Sequence, residues 1–264
     1  MSRRSLLFAA VLLSLPSLPA FADEWKKAFP LTGVPEIKID SNDAAVEVRS
    51  TDRKDVEIRV LTEGYEIAPG KVRVTDHQNG NRIEVEVRRP SGHFCLGWCN
   101  HSVRVEVSAP REANLDLHTG DGHIRVDDIR GDLRLDTGDG HVEANRVEGK
   151  LRVHTGDGRI TADGRFEELD LRTNDGRVEA EIRPGSKMTN SWSVRTGDGS
   201  IDLRLPTDLA ADLDVHTGDG RVTTDLPVTI SGELGRSSLR GKLNGGGYFL
   251  EVRSGDGSIH LGRT

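Results

Sequence analysis

The chain has 264 residues, of which 43 are acidic and 36 basic, a formal net charge of -7. No cluster of Lys and Arg stands against that balance, which excludes a nucleic-acid backbone or an anionic membrane as the expected partner. Aromatic residues make up 4% and hydrophobic residues 34%, so a thick globular core is hard to build, whereas a thin one of Val, Ile and Leu is not.

Residues 1–22 have the pattern of a signal peptide. Arg3 and Arg4 precede an unbroken apolar run from Leu6 to Leu13, and Ala20-Phe21-Ala22 supplies small residues for a cut after Ala22. Ser14, Pro16 and Pro19 interrupt the stretch beyond Leu13, so the run is too short to span a hydrocarbon core of about 30 Å. Ser2-Arg3-Arg4-Ser5-Leu6-Leu7 also resembles a twin-arginine export pattern, but the Leu-rich run and very short charged segment favour the general secretory route. A periplasmic or secreted product with no retained transmembrane anchor is expected, its residues 23–264 forming a single domain.

Within that domain, residues 36–110 are predicted to hold degenerate copies of a repeat plus a hairpin excursion near residues 71–108. Ile37 to Val48 fits the repeat consensus with its glycines lost. Residues 82–88 and 102–107 alternate apolar and polar, as the arms of a long hairpin would, and both cysteines lie between them. For Cys95 and Cys99 in an exported chain the default is a disulfide closing a small loop. The alternative is a metal site of His93, Cys95, Cys99 and His101, whose residue types suit Zn²⁺ or Cu⁺. Phe94, Leu96 and Trp98 on the same tip are expected to cover the end of the repeat stack or to contact a partner.

From residue 111 to 264 the repeat is regular. Thr119-Gly120-Asp121-Gly122 recurs at Thr137, Thr155, Thr173 (with Asn174 for the first glycine), Thr196, Thr217 and Ser254. The first three intervals are 18 residues; the later ones are longer, and the last is close to two periods with a degenerate copy expected around Gly235 to Leu243. Each copy alternates apolar and polar on both sides of Gly-Asp-Gly, which reads as two half-buried strands joined by a turn. A second corner is predicted near Gly131 and Gly149.

An antiparallel meander has no need of the same residue every 18 positions, whereas a coil stacked on its predecessor does, because equivalent residues lie about 4.8 Å apart in a column. The predicted inward columns keep one residue type or a close substitute: Leu115, Leu133, Leu151, Leu169; Thr119, Thr137, Thr155, Thr173; Ile124, Val142, Ile160, Val178. Outward columns such as Asp116, Arg134, Arg152, Asp170 mix signs, with Arg134 over Arg152 as an exception. The fold predicted is all-β, a parallel β-solenoid (β-helix) with about 18 residues per coil, right-handed crossovers being the general expectation.

The T-G-D-G-x-[IV]-x-[VA] copies from Thr119 to Leu261, behind a signal peptide, resemble the bacterial putative-adhesin family of β-strand-repeat domains of unknown function. That family includes YvlB-like proteins and the related head-GIN-domain adhesins. The resemblance covers most of residues 36–262. It implies an extracytoplasmic β-solenoid with no established chemistry, and the family name suggests surface attachment.

The column Asp121, Asp139, Asp157, Asp175, Asp198, Asp219, Asp256 is the candidate site. Neighbouring carboxylates about 4.8 Å apart repel by roughly 1 kcal/mol even at the dielectric of water. One explanation is a row of Ca²⁺ sites. The other, preferred here, is turn chemistry, with Asp accepting local backbone N–H bonds and His123, His141, Arg159, Arg177 and Arg221 supplying counter-charge. The period is twice that of the calcium-binding nonapeptide, which argues against the first. Trp192, beside Asn190 and Ser191, is assigned to packing.

No catalytic residue is predicted: carboxylates in near-identical settings are not tuned apart as an acid and base must be, and neither G-x-S-x-G nor a phosphate loop occurs. The expected function is that of a non-enzymatic exported β-solenoid presenting a surface to an unknown envelope protein or glycan, without a cofactor. The alternatives are a calcium-stabilised envelope or matrix protein and a carbohydrate-active β-helix enzyme.

Overall fold

A computed structural model describes residues 22–89, 101–231 and 235–264. Apart from Ala22, the predicted signal peptide lies outside these residues, as do His93, Cys95 and Cys99. The described chain forms strands β1 (Ala22–Pro30), β2 (Glu36–Ser41), β3 (Ala45–Ser50), β4 (Asp55–Glu63), β5 (Arg73–Asn79), β6 (Arg82–Arg88) and β7 (Ser102–Ala109). The repeat contributes β8 (Asn114–Thr119), β9 (Ile124–Asp127), β10 (Arg130–Thr137), β11 (Val142–Thr155), β12 (Ile160–Thr173), β13 (Val178–Ile182), β14 (Trp192–Thr196) and β15 (Ile201–Leu205). The last are β16 (Ala211–Thr217), β17 (Val222–Thr224), β18 (Thr229–Ile230), β19 (Ser238–Leu243), β20 (Phe249–Ser254) and β21 (Ile259–Arg263).

The central coils stack as their period dictates. β8, β10, β11 and β12 pair in parallel with Leu115, Leu133, Leu151 and Leu169 in one column and the four threonines in another. β9 and the first halves of β11 and β12 do the same with Ile124, Val142 and Ile160 on the opposite face. Strict alternation turns every second side chain inward, where the two faces share one buried cluster of Leu, Ile, Val and Ala. The core is thin because small residues, Ala144, Ala162 and Ala180, form one of its columns. The all-β solenoid is therefore as predicted.

The order of coils at both ends is not the order of the chain. On one face the neighbours run β5-β6-β2-β8-β10-β11-β12-β14-β20-β16-β19-β18. On the other they run β1-β4-β7-β3-β9-β11-β12-β13-β15-β21-β17. Thus the first coil, β2–β3, sits between β6–β7 and β8–β9, and the last, β20–β21, sits between β14–β15 and β16–β17. Antiparallel strands close each end, with β1, β4 and β5 at one and β18 and β19 at the other.

Two expectations are corrected by this arrangement. A hairpin does occur within residues 71–108, but it is β5–β6, turned by Gly80 at φ +61°; β6 and β7 do not pair with each other and instead extend opposite faces as one coil. An alternating strand carries the same pattern whether its neighbour is antiparallel or parallel, so the pattern alone could not choose. The segment near Gly235 to Leu243 is no degenerate coil: β19 runs antiparallel to β16 as a cap. The second corner does lie near Gly131 and Gly149: the chain bends at Asp128 (φ 59°) and Arg146 (φ 53°), three residues before each, and Gly149 itself has φ 108°.

Candidate binding ridge

The T-G-D-G turns line one edge of the solenoid, and their internal chemistry is carried by the hydroxyl. Thr137 Oγ1 donates to the Gly122 carbonyl at 2.8 Å, Thr155 to Gly140 at 3.0 Å, Thr173 to Gly158 at 3.0 Å and Thr196 to Gly176 at 2.8 Å. Ser254 continues the series to Gly199 at 2.9 Å, and Thr217 to Gly257 at 2.7 Å. The same oxygen accepts the N–H of its own turn three residues on, as Gly158 to Thr155 at 3.2 Å and Gly176 to Thr173 at 3.1 Å. In the five turns from Thr155 onward the hydroxyl thereby both ties its coil to its neighbour and closes its own turn.

Thr155→Val keeps the shape and removes both bonds, leaving a buried donor and acceptor unpaired, which costs about 2 kcal/mol. Thr155→Ser is expected to cost less than about half of that, since Ser254 and Ser41 already fill the position natively. Paired urea melts check this; equal losses would show that the methyl, not the hydroxyl, matters.

The glycines serve proximity rather than bending. None of the T-G-D-G glycines has a φ in the left-handed region. Backbone bonding runs straight through the first position, Gly138 N–H to Gly120 O at 2.5 Å and Gly197 N–H to Asn174 O at 2.6 Å. At the second position a Cβ on Gly140 would lie 2.6 Å from the Gly122 carbonyl carbon and 2.7 Å from Thr137 Oγ1. Stacked turns touch backbone to backbone, and at this second position only glycine leaves room.

The aspartates take no part in this. Asp121, Asp139, Asp157, Asp175, Asp198, Asp256 and Asp219, in that spatial order, are exposed. Among the described residues none of them shares a side-chain hydrogen bond or ion pair, and the backbone bonds expected of them are made by threonine and serine instead. Asp43, which begins the row, is paired with Arg89. The neighbours expected to balance the row are engaged elsewhere where they bond at all: Arg177 pairs with Glu179 at 3.3 Å, and His141 Nδ1 accepts the Arg159 N–H at 3.1 Å. Of the proposed Cys-and-His cluster only His101 is described, and it stacks on Tyr65 with ring centroids 4.5 Å apart.

The two broad faces are, by contrast, internally neutralised. Arginines pair with a carboxylate two residues along the same strand, as Arg134 with Asp136 at 2.9 Å and Arg172 with Asp170 at 2.9 Å. Arg152, stacked on Arg134, reaches Glu168 at 3.3 Å, which removes the apparent repulsion. A concavity of about 520 Å³ lined by Arg49, Ser50, Arg125, Asp127, Asp128 and Arg146 is closed by its own pairs, Arg125 to Asp127 at 2.8 Å among them. Burial pushes the Asp127 carboxyl up, but hydrogen bonds from Arg125 and Asn145 outweigh it and hold the group below its usual range. Glu24, Asp55, Glu84 and Glu251 are lowered by arginine hydrogen bonds, and Asp128 by the Ser50 hydroxyl and Arg111. Trp192 is buried at the start of β14, its Nε1 donating to the Glu167 carbonyl at 3.0 Å.

A family model described as Toastrack DUF4097 matches residues 34–181 and, overlapping, 111–262. The chain belongs to the Toastrack family. The two overlapping matches reflect the repeat, since one stretch of coils fits the Toastrack pattern in more than one frame. Among solved structures this Toastrack chain is similar to a putative cell adhesion protein from Clostridium sporogenes, at 14% identity and TM-score 0.44 over 92% of this chain and 100% of that one. It is also similar to a putative lipid binding protein from Parabacteroides distasonis, at 12% and 0.46 over 90% and 96%. A third is a putative adhesin from Bacteroides fragilis, at 9% and 0.39 over 90% and 97%. None of the curated proteins matches.

Proposed function

We propose that this Toastrack protein is a non-enzymatic, exported β-solenoid that binds an envelope or extracellular partner, protein or glycan, through its aspartate ridge. The observation that carries the reading is the row of seven exposed carboxylates with no bond of their own, on turns that threonine, serine and glycine already complete. Stacking them costs repulsion and contributes nothing to the turn. Their free lone pairs face outward at intervals of one strand, so the ridge is a rigid ruler of acceptors for a partner's cations or hydroxyls. Among the described residues no three His, Cys, Asp or Glu side chains converge as a cation site requires, and this gives the calcium-stabilised alternative less support.

The test is binding of labelled protein to isolated cell envelopes. Replacing Asp121, Asp139, Asp157 and Asp175 with asparagine is expected to lower the bound amount about tenfold, a loss of about 1.4 kcal/mol spread over four contacts. The same number of changes among carboxylates of the broad faces, at Glu143, Glu179, Glu181 and Asp202, is expected to leave it within twofold. Equal binding by the ridge variant would overturn the proposal.

A further inference from the structure

The final coil occupies a place its position in the chain does not require. β20 lies between β14 and β16, with Val194, Val252 and Val215 in one column and Thr196, Ser254 and Thr217 in the next. β21 lies between β15 and β17, with Ile201, Ile259 and Val222 aligned. Both strands of the C-terminal coil are thus bonded on both sides by strands made earlier in the chain. The two walls of this slot carry the same repeat as the coil that fills it.

The link into the slot is a short glycine reversal. Between β19 and β20 runs Asn244-Gly245-Gly246-Gly247, in which Asn244, Gly245 and Gly246 all have positive φ, at 48°, 88° and 89°. Asn244 Nδ2 donates to the Thr207 and Leu209 carbonyls at 2.8 Å and anchors the start of the reversal to its own chain, while a Cβ on Gly245, the next residue, would have open space around it. The contacts that hold the coil are all made by residues beyond the link. Ser254 donates to the Gly199 carbonyl and Thr217 to that of Gly257. Glu251 meets Arg195 at 2.6 Å, Arg253 meets Asp214 at 2.8 Å, and Thr264 Oγ1 donates to the Ile182 carbonyl at 2.9 Å. None of these depends on which copy of the chain supplies residues 248–264.

We infer that the C-terminal coil is exchangeable, and that a second copy of this chain is a partner of the protein: each copy inserts residues 248–264 between β14–β15 and β16–β17 of the other. This goes beyond the ridge reading and is independent of it. Because every contact of the closed monomer is reproduced in the exchanged pair, the balance between them reduces to the link and to concentration. A slot whose walls share one repeat also keeps the exchange in register, since the threonine and serine column admits only one alignment per coil.

The experiment uses full-length chains in a Cys95→Ser/Cys99→Ser background. Ser193 and Glu251 are register partners on adjacent strands. One chain carries Ser193→Cys, another carries Glu251→Cys, and the two are unfolded, mixed, refolded at rising concentration and treated with a short thiol crosslinker. A covalent heterodimer whose yield grows with concentration is expected, because only exchange brings position 193 of one copy beside 251 of another. A chain carrying both cysteines is the control and is expected to crosslink within itself at low concentration. Internal crosslinking of the control with no heterodimer at any concentration would overturn the proposal. Native mass spectrometry of the unsubstituted chain and of one lacking Gly245 and Gly246 is the second readout. Shortening the link is expected to raise the dimer share severalfold, and a shortened chain that stays folded and monomeric at every concentration would equally overturn it.

Discussion

Gly140→Ala is expected to destabilise the protein by about 3 kcal/mol, the upper part of the usual range for overpacking. The added methyl has nowhere to go. It meets the Gly122 carbonyl of the coil beneath and the buried Thr137 hydroxyl of its own turn, and neither is the mobile end of a side chain. Relief demands that two coils separate along the edge where hydroxyl and backbone bonds both run, so the loss includes part of the threonine ladder. Gly138→Ala is expected to cost less, about 1–2 kcal/mol, because its Cβ would meet the Gly120 oxygen at 2.6 Å with no hydroxyl nearby, and because Asn174 natively fills the equivalent place. Gly80→Ala offers a contrast in mechanism: its surroundings are open and its φ is +61°, so only the left-handed backbone is penalised, by about 1–2 kcal/mol. Chemical denaturation of the three variants orders them. If Gly140→Ala were no worse than Gly80→Ala, close stacking would not be the reason for the second glycine.

Trp192→Ala is expected to cost about 4 kcal/mol, in the range for deletion of a large buried aromatic. For a chain of this length that is a fall of about 10 °C in melting temperature. Trp192 is 1% exposed, faces Leu250 in register, and caps the Glu167 carbonyl with its indole N–H. Truncation leaves a void at the point where β12, β14 and β20 adjoin. In a stack whose coils touch only their neighbours, the damage is expected to concentrate there. Hydrogen exchange should therefore accelerate in β14 and β20 while β8 and β10 stay protected. Trp192→Phe retains most of the packing and is expected to lose about 1–2 kcal/mol, chiefly the bond to Glu167. Uniform acceleration across all coils would contradict nearest-neighbour packing.

How far the residues announced this structure differs from one feature to the next. The columns of Leu115, Leu133, Leu151 and Leu169, and of the threonines, were legible because a period of two selects a face and a period of 18 selects a neighbour. The edge position of the seven aspartates was legible for the same reason. Their chemical role was not: an aspartate flanked by glycines is a competent turn acceptor, and only in the folded stack do Thr155 and its equivalents hold the bonds it would accept. The glycines were legible as necessary but not as to cause, since a turn needing positive φ and a turn pressed against another backbone ask for the same residue.

The alternation of Val, Ile and Leu and the recurrence of Thr-Gly-Asp-Gly were sufficient to specify an all-β solenoid, its coil length, its core columns and its acidic edge, because each is a local or nearest-neighbour property repeated many times. The order of the coils was settled in three dimensions. Thr196 can stack on Thr217 or on Ser254 with the same turn chemistry, so the repeat leaves the two orders degenerate. The choice is made by what lies beyond the turn: the antiparallel cap of β19 on β16, the reversal at Asn244 to Gly247, and the seat of Thr264 against Ile182. A sequence built from interchangeable coils states clearly what each coil touches in kind, and leaves to the packed whole which coil that is.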